Sequence, residues 1–287
     1  MRPEKLKTRI FLDGGDPGET ASLIELLGFL DGQTTNPTLI AKNPAARQRL
    51  ETGAKFNADE IFQFYHSVVG QISSLIPRGS ISVEVYADPG TTAEDMLRQG
   101  RDMFTWIPNA HIKFPTSREG LKAAVKAVRE GMRVNMTLCF SVEQAAAVYA
   151  ATRGARKGDV FVSPFVGRLD DRGENGMDLI AHITEIYRKG DGHVEVLTAS
   201  VRTFDHLLYA FALGSDIVTA PFGILMEWGK KGLPLPGEDY TYDARDLKPI
   251  PFRDVDLLRS WEEYDISHDL TVKGMKRFSE DWNSLIA

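Results

Sequence analysis

The chain has 287 residues, 43% hydrophobic and 26% charged, with a net charge of -6 and a single cysteine. That length suits one large domain or two small ones, with a core that needs no disulfide or metal to hold it. The acidic balance argues against nucleic acid, which wants a broad basic surface, and against a polybasic membrane anchor. Lone Cys139 rules out an internal disulfide and fits a reducing compartment. No apolar run reaches membrane-spanning length, and the polar start at residues 1–9 lacks a signal core. A cytoplasmic protein with no membrane partner is expected.

Short apolar or β-branched runs alternate with amphipathic stretches along the chain. Strands are predicted at residues 9–14 (RIFLDG), 32–36 (GQTTN), 80–86 (SISVEVY) and 111–115 (HIKFP). Four more follow at 133–140 (RVNMTLCF), 159–165 (DVFVSPF), 193–200 (HVEVLTAS) and 216–222 (DIVTAPF). The clearest helix is 117–131, with Ser117 as N-cap, apolar Leu121, Ala124, Val125 and Val128, and Gly131 as the stop. Residues 141–153 and 203–213 read the same way. Eight strands interleaved with helices imply parallel pairing with crossover helices. The count favours a closed (β/α)8 TIM barrel over an open doubly wound sheet, and no GxGxxG turn follows strand one. The expectation is an α/β protein with a single barrel domain, its barrel over about 9–227. An excursion at 228–287 begins with GKKGLPLPGEDYTYD and ends in a docking helix at 272–286, with Met275, Phe278, Trp282 and Leu285 on one side.

Alternate strand residues of a barrel point into its lumen. Ile10 and Leu12 point out, so Asp13 points in. Ile81, Val83 and Val85 leave Ser82 and Glu84 inward. Ile112 and Phe114 leave Lys113 inward. Val134, Met136, Leu138 and Phe140 form one face of strand five, with Asn135 and Thr137 on the other. Val160 and Val162 leave Ser163 and Phe165 inward. Asn36 ends strand two, Ser200 ends strand seven, and Arg168 and Arg202 lie just beyond strands six and seven. Most of these polar positions fall at strand C-termini, where barrels build active sites. A cation in a lumen is costly to desolvate, and that cost is what makes an interior amine available as a nucleophile. Asp13 and Glu84 offer acid/base partners, and the two arginines offer an anion site. A carbonyl, hydroxyls and a distal anion describe a sugar phosphate.

Each residue taken alone also has a plainer reading. Lys113 could end a strand in solvent, and Asp13 could cap a helix. Glu84 could serve a structural ion pair, and Asn36 could set the turn before Pro37. Arg168 could bridge Asp170 or Asp171. Cys139 reads as a small buried apolar residue. The six histidines (66, 111, 182, 193, 206 and 268) show no ligand spacing, so no metal is expected. The functional reading rests on agreement of parity across strands.

At these residues the sequence resembles the transaldolase family of class I aldolases. FLDGG, DGQTTNPTLIAKN, SVEV, IKFP with TSREGLKAA, VNMTLCFSVEQA, SPFVGRLDD and LTASVRT follow in the family's order, and HDLTVKGMKRFSEDW closes the likeness. The resemblance implies that Lys113 is the Schiff-base lysine and Asp13 the acid/base at the cleaved bond. It implies that Glu84 and Thr137 position the catalytic water. Asn36 and Asn135 would hold the dihydroxyacetone unit, with Ser163 near it. Arg168, Ser200 and Arg202 would form the phosphate site. No cofactor is implied, the small-molecule partners are sugar phosphates, and a homo-oligomer stays open. The fructose-6-phosphate aldolase branch carries Gln at the position of Glu84 and Tyr at that of Phe165, so both positions here fall on the transaldolase side. Gly14 and Gly15 depart from the family pattern, and the long segment after Trp228 departs from its short subfamily. The leading expectation is transfer of a dihydroxyacetone unit from a ketose phosphate (fructose 6-phosphate or sedoheptulose 7-phosphate) to an aldose phosphate. The alternatives are an aldolase that releases the unit or uses a sulfonated sugar, and a non-catalytic sugar-phosphate-binding module.

Overall fold

A computed structural model describes residues 2–244 and 246–287. Eight parallel strands close into a barrel in chain order. They are β1 Arg9–Asp13, β2 Gly32–Thr34, β3 Ser80–Glu84, β4 Ala110–Pro115, β5 Val134–Cys139, β6 Val160–Pro164, β7 Val194–Thr198 and β8 Ile217–Ala220. The barrel closes where β1 meets β8, with Ile10 opposite Val218. Every predicted strand is present, seven of them with trimmed ends and β4 beginning one residue earlier than predicted. The predicted helices also form. Ser117 caps Arg118–Arg129, Ser141 caps Val142–Ala151, and Thr203 caps Phe204–Leu213, each accepting a first-turn N–H. These caps satisfy amides that no earlier carbonyl can reach.

The lower lumen is aromatic. The Phe161 ring meets Phe11 edge-on at 6.1 Å and stacks on His111 at 4.2 Å. Gly32 makes room for this layer, since a Cβ there would fall 2.6 Å from the Phe11 ring. Arg9 reaches over Phe161 and pairs with Glu195 at 2.6 Å. Above it the lumen turns polar. Asn135 Nδ2 donates to Ser82 Oγ at 3.0 Å, and Ser163 Oγ donates to Asn135 Oδ1 at 2.6 Å.

Two strands depart from simple alternation at their C-terminal ends. Leu138 takes φ +58°, and the β5–β6 register shifts between Met136 and Cys139. Leu138 therefore does not continue the face of Val134 and Met136 as parity predicts. Its side chain packs instead against Gly274, where a Cβ would fall 2.6 Å from Leu138 Cδ2, and Thr271 Oγ1 donates to its carbonyl at 3.0 Å. A positive φ costs a branched residue about 1 kcal/mol or more, so these contacts hold the bulge. Ser200 also has φ +58°. Strict alternation from Thr198 would send it away from the lumen, and the left-handed backbone returns it.

After β8 and the helix Phe222–Lys230, the chain wraps back around the outside of the barrel. Lys248 pairs with Glu174 in an isolated bridge, and Arg153 donates to the carbonyls of Leu257 and Arg259. The docking helix runs Asp269–Ser284, capped by His268, and so starts three residues before the predicted 272. It lies over the C-terminal ends of the strands. Phe278 and Trp282 are buried beneath it, and its end is pinned by Phe56 N donating to Leu285 O at 2.9 Å.

Candidate active site

The C-terminal end of the barrel holds a cavity of about 250 Å³. All the predicted site residues line it except Glu84 and Asn135, which lie buried in the lumen beneath. Lys113 and Glu84 face each other on adjacent strands, where β3 and β4 place them in register. Lys113 Nζ lies 2.8 Å from Glu84 Oε2, with side-chain exposures of 4% and 5%. Beyond Lys113, Glu84 Oε2 has no hydrogen-bond partner. Lys113 Nζ also donates to Thr35 O at 3.0 Å. Thr137 Oγ1, on the next strand, is likewise buried without a hydrogen-bond partner. Native interiors pair such atoms or hydrate them, so an unpartnered hydroxyl lining the same cavity as the buried lysine marks a place for water or ligand.

Asp13 Oδ1 accepts from Thr34 Oγ1 at 2.7 Å, and Thr34 Oγ1 meets Thr219 Oγ1 at 2.7 Å. Burial raises the Asp13 carboxyl above its ordinary range, opposed by the charge of Lys113, the Thr34 hydrogen bond and Lys42. Burial raises Glu84 too, again opposed by Lys113. Asn36 does set the turn, because its Oδ1 accepts from Leu39 N at 2.9 Å and caps the short helix Pro37–Ala41. It also lines the cavity, so the plain and the functional readings hold together. Glu84 likewise sits in an ion pair, but its partner is Lys113 itself. Arg168 stacks over Phe165 and Phe278 at 5.9 and 5.6 Å. Asp170 pairs with His206, and Asp171 pairs with Arg202 at 3.2 Å.

A polar lumen with a buried lysine–carboxylate pair under an arginine-rich mouth is the pattern the sequence resemblance implies. The family model for transaldolase/fructose-6-phosphate aldolase matches residues 10–287. The chain belongs to this family. It is 36% identical over 278 residues to a probable transaldolase of Dehalococcoides mccartyi, covering 96% of this chain and 99% of that one. It is 41% identical over 245 residues to one of Anaeromyxobacter sp., covering 85% and 100%. It is 42% identical over 212 residues to one of Roseiflexus sp., covering 72% and 85%.

In this transaldolase-family barrel the mouth is more cationic than the predicted pair of arginines. Lys42 and Arg277 also line it. Burial, then the charges of Arg277 and Arg202, hold the Arg168 guanidinium below its ordinary pKa. Such crowding of like charge is relieved by an anion. Sequence parity missed Lys42, Arg277 and Phe278 because none lies on a strand: Lys42 follows the helix Pro37–Ala41, and the other two belong to the docking helix. Phe278 was nonetheless visible on the docking face, and Arg277 is its neighbour in sequence. Tyr65 was missed as well. Its buried hydroxyl accepts from Glu84 N at 2.9 Å and meets Thr35 Oγ1 at 2.6 Å, tying together the ends of β2 and β3 that the Lys113 ammonium contacts. Cys139 is buried, and burial pushes its thiol up to about 12, as befits an inert apolar filler. Among the described residues no cluster of His, Cys, Asp or Glu could hold a metal ion, and no helix is long and apolar enough to cross a membrane.

Proposed function

We propose that Lys113 forms a Schiff base with a ketose phosphate, and that the protein transfers the resulting dihydroxyacetone unit to an aldose phosphate. The observation that carries this reading is the Lys113–Glu84 pair, buried beneath a polar cavity that the unpartnered hydroxyl of Thr137 also lines. The Lys113 ammonium gives a proton to Glu84, whose carboxyl is raised by burial and lies 2.8 Å away. The freed amine attacks the ketose carbonyl. The carbinolamine loses water, which Glu84 and Thr137 hold, and an iminium forms. Asp13 takes the proton of the C4 hydroxyl, the C3–C4 bond breaks, and its electrons pass into the iminium to give an enamine. The aldose phosphate leaves, and a second aldose phosphate is attacked at its aldehyde as Asp13 returns the proton. Water then hydrolyses the iminium and restores Lys113.

Asn36, Asn135 and Ser163 hold the hydroxyls of the three-carbon unit, and Phe165 walls it. Arg168, Ser200 and Arg202 bind the phosphate. Glu84 and Phe165 favour the transferring branch over the releasing one. A sulfonate is also a tetrahedral anion, so a sulfonated donor is the reading to exclude by substrate panel. Borohydride treatment with fructose 6-phosphate is expected to leave an adduct on Lys113, located by mass spectrometry. Product formation is expected to require an aldose phosphate acceptor. No adduct, or an adduct elsewhere, sinks the Schiff base; free dihydroxyacetone as the main product sinks the transfer.

A further inference from the structure

The excursion after the barrel reaches the anion site through one imidazole. His206 lies in the first turn of the helix Phe204–Leu213 and is 3% exposed. The backbone N–H of Arg202 donates to its Nδ1 at 3.2 Å. A backbone amide can only donate, so Nδ1 carries no proton and Nε2 does. Nε2 lies 2.8 Å from Asp170 Oδ2 and 3.1 Å from the Tyr242 hydroxyl. Asp170 closes the short helix Val166–Asp170 that carries Arg168, and its other oxygen accepts from Gly176 N at 2.9 Å. Tyr242 belongs to the excursion, where its ring stacks on Tyr209 at 4.6 Å and 3°. Burial, with Asp170 nearby, raises the Tyr242 hydroxyl, which therefore stays protonated.

The backbone of the segment bearing Arg202 is held by Val166 N and Gly167 N, which donate to Ala199 O and Ser200 O at 3.0 Å. Among the described residues the Arg202 guanidinium meets Asp171 at 3.2 Å and Ser200 Oγ at 3.5 Å, and it is half exposed. Its stem crosses the backbone of Gly167, where a Cβ would fall 2.3 Å from Arg202 Cγ. A small shift of the Arg202 backbone would therefore move its guanidinium against the helix that holds Arg168. One neutral histidine touches the Arg202 backbone, the Arg168 helix and the excursion, yet does not line the cavity.

We propose that His206 and Tyr242 are positioning residues for the distal-anion site, and that residues 228–260 act on substrate affinity through them. This rests on the reading that Arg168 and Arg202 bind the anion. The test compares half-saturating concentrations for borohydride-trapped adduct with fructose 6-phosphate and with uncharged dihydroxyacetone. Y242F removes one oxygen and keeps the Tyr209 stack. H206N keeps an acceptor for Arg202 N–H and loses reach to Asp170 and Tyr242. Each is expected to raise the fructose 6-phosphate value about three- to ten-fold, as loss of one buried hydrogen bond does. The dihydroxyacetone value should move by less than about two-fold. If H206N does not fold, Y242F alone decides. R202A is measured alongside. Should R202A fail to separate the two donors, the anion-site reading falls and the proposal with it. Should R202A separate them while Y242F and H206N shift neither donor, or both equally, the positioning role alone is overturned.

Discussion

The lumen of this barrel holds ion pairs at its opposite ends, one partly exposed and one buried, and they differ in how well they are satisfied. At the lower end Arg9 donates to Glu195 at 2.6 Å and lies over the faces of Phe161 and Phe11. At the upper end Lys113 and Glu84 lie 2.8 Å apart under a cavity, and Thr137 Oγ1, which lines that cavity, has no hydrogen-bond partner. Burial raises both glutamates. Charge inside a barrel therefore does not by itself mark chemistry. Unmet hydrogen-bonding capacity next to open space does, because it is what a substrate or water completes.

Substituting one cation from each pair should separate their roles most sharply. K113M is expected to lower turnover by at least about a thousand-fold and abolish borohydride labelling, because the proposed iminium forms on this amine and Lys42 lies at the mouth, away from Glu84. R9M should leave labelling intact and lower unfolding free energy by about 3 kcal/mol in urea titration. That figure is the lower end for a broken buried pair, since the Arg9 side chain is 32% exposed. Equal loss of activity in the two variants would erase the distinction between the ends.

The two ends of the lumen should next differ in pH behaviour. In the proposed mechanism Asp13 and Glu84 are the proton acceptors, and burial raises both. The acidic limb of kcat/KM should therefore lie above the ordinary carboxylate range, and E84Q should lower kcat by about a hundred-fold or more. The lower end should instead show its pH dependence in stability. His111 is stacked on Phe161, donates through Nε2 to Gly158 O at 2.9 Å, and leaves Nδ1 buried and unpartnered. Burial lowers its pKa to about 3, against an ordinary 6.5. Below 6.5 the unfolded chain takes a proton that the folded chain refuses until about 3, so stability is lost as pH falls across that window. H111F should flatten that slope by up to about 1.4 kcal/mol per pH unit in urea midpoints, while leaving the activity profile in place.

How much of this was readable beforehand follows from backbone regularity. On β3 and β4 alternation is unbroken, and Glu84 and Lys113 fall where hydrophobic parity puts them. Parity fails at Leu138 and Ser200, because a positive φ on a non-glycine residue leaves no mark in the residue pattern. Ser200 entered the predicted set through its place at a strand end and the family motif. The closing helix shows the other limit. Its apolar stripe predicts that it docks, but where it docks depends on Gly274 against Leu138 and on Thr38 with Asp281, contacts far apart in sequence. Arg277 reaches the cavity only through that docking.

Arg277 therefore supplies the mildest contrast, between a half-buried and an exposed cation at one mouth. Arg168 is shielded by Phe165 and Phe278, whereas the Arg277 side chain is 61% exposed and only 3.9 Å from its nearest carboxylate, Asp281. An exposed charge acts over distance and is screened within about 10 Å at 0.1 M salt. R277A should raise KM for a phosphorylated donor about two- to four-fold at low ionic strength, with kcat unchanged, and the effect should vanish toward 0.5 M salt. R168A should weaken binding at every salt concentration, because direct pairing in a shielded site is screened far less. Titrating KM against salt for both variants reads the difference. A salt-independent loss in R277A would mean that Arg277 grips the anion directly, and that the closing helix is part of the binding site itself.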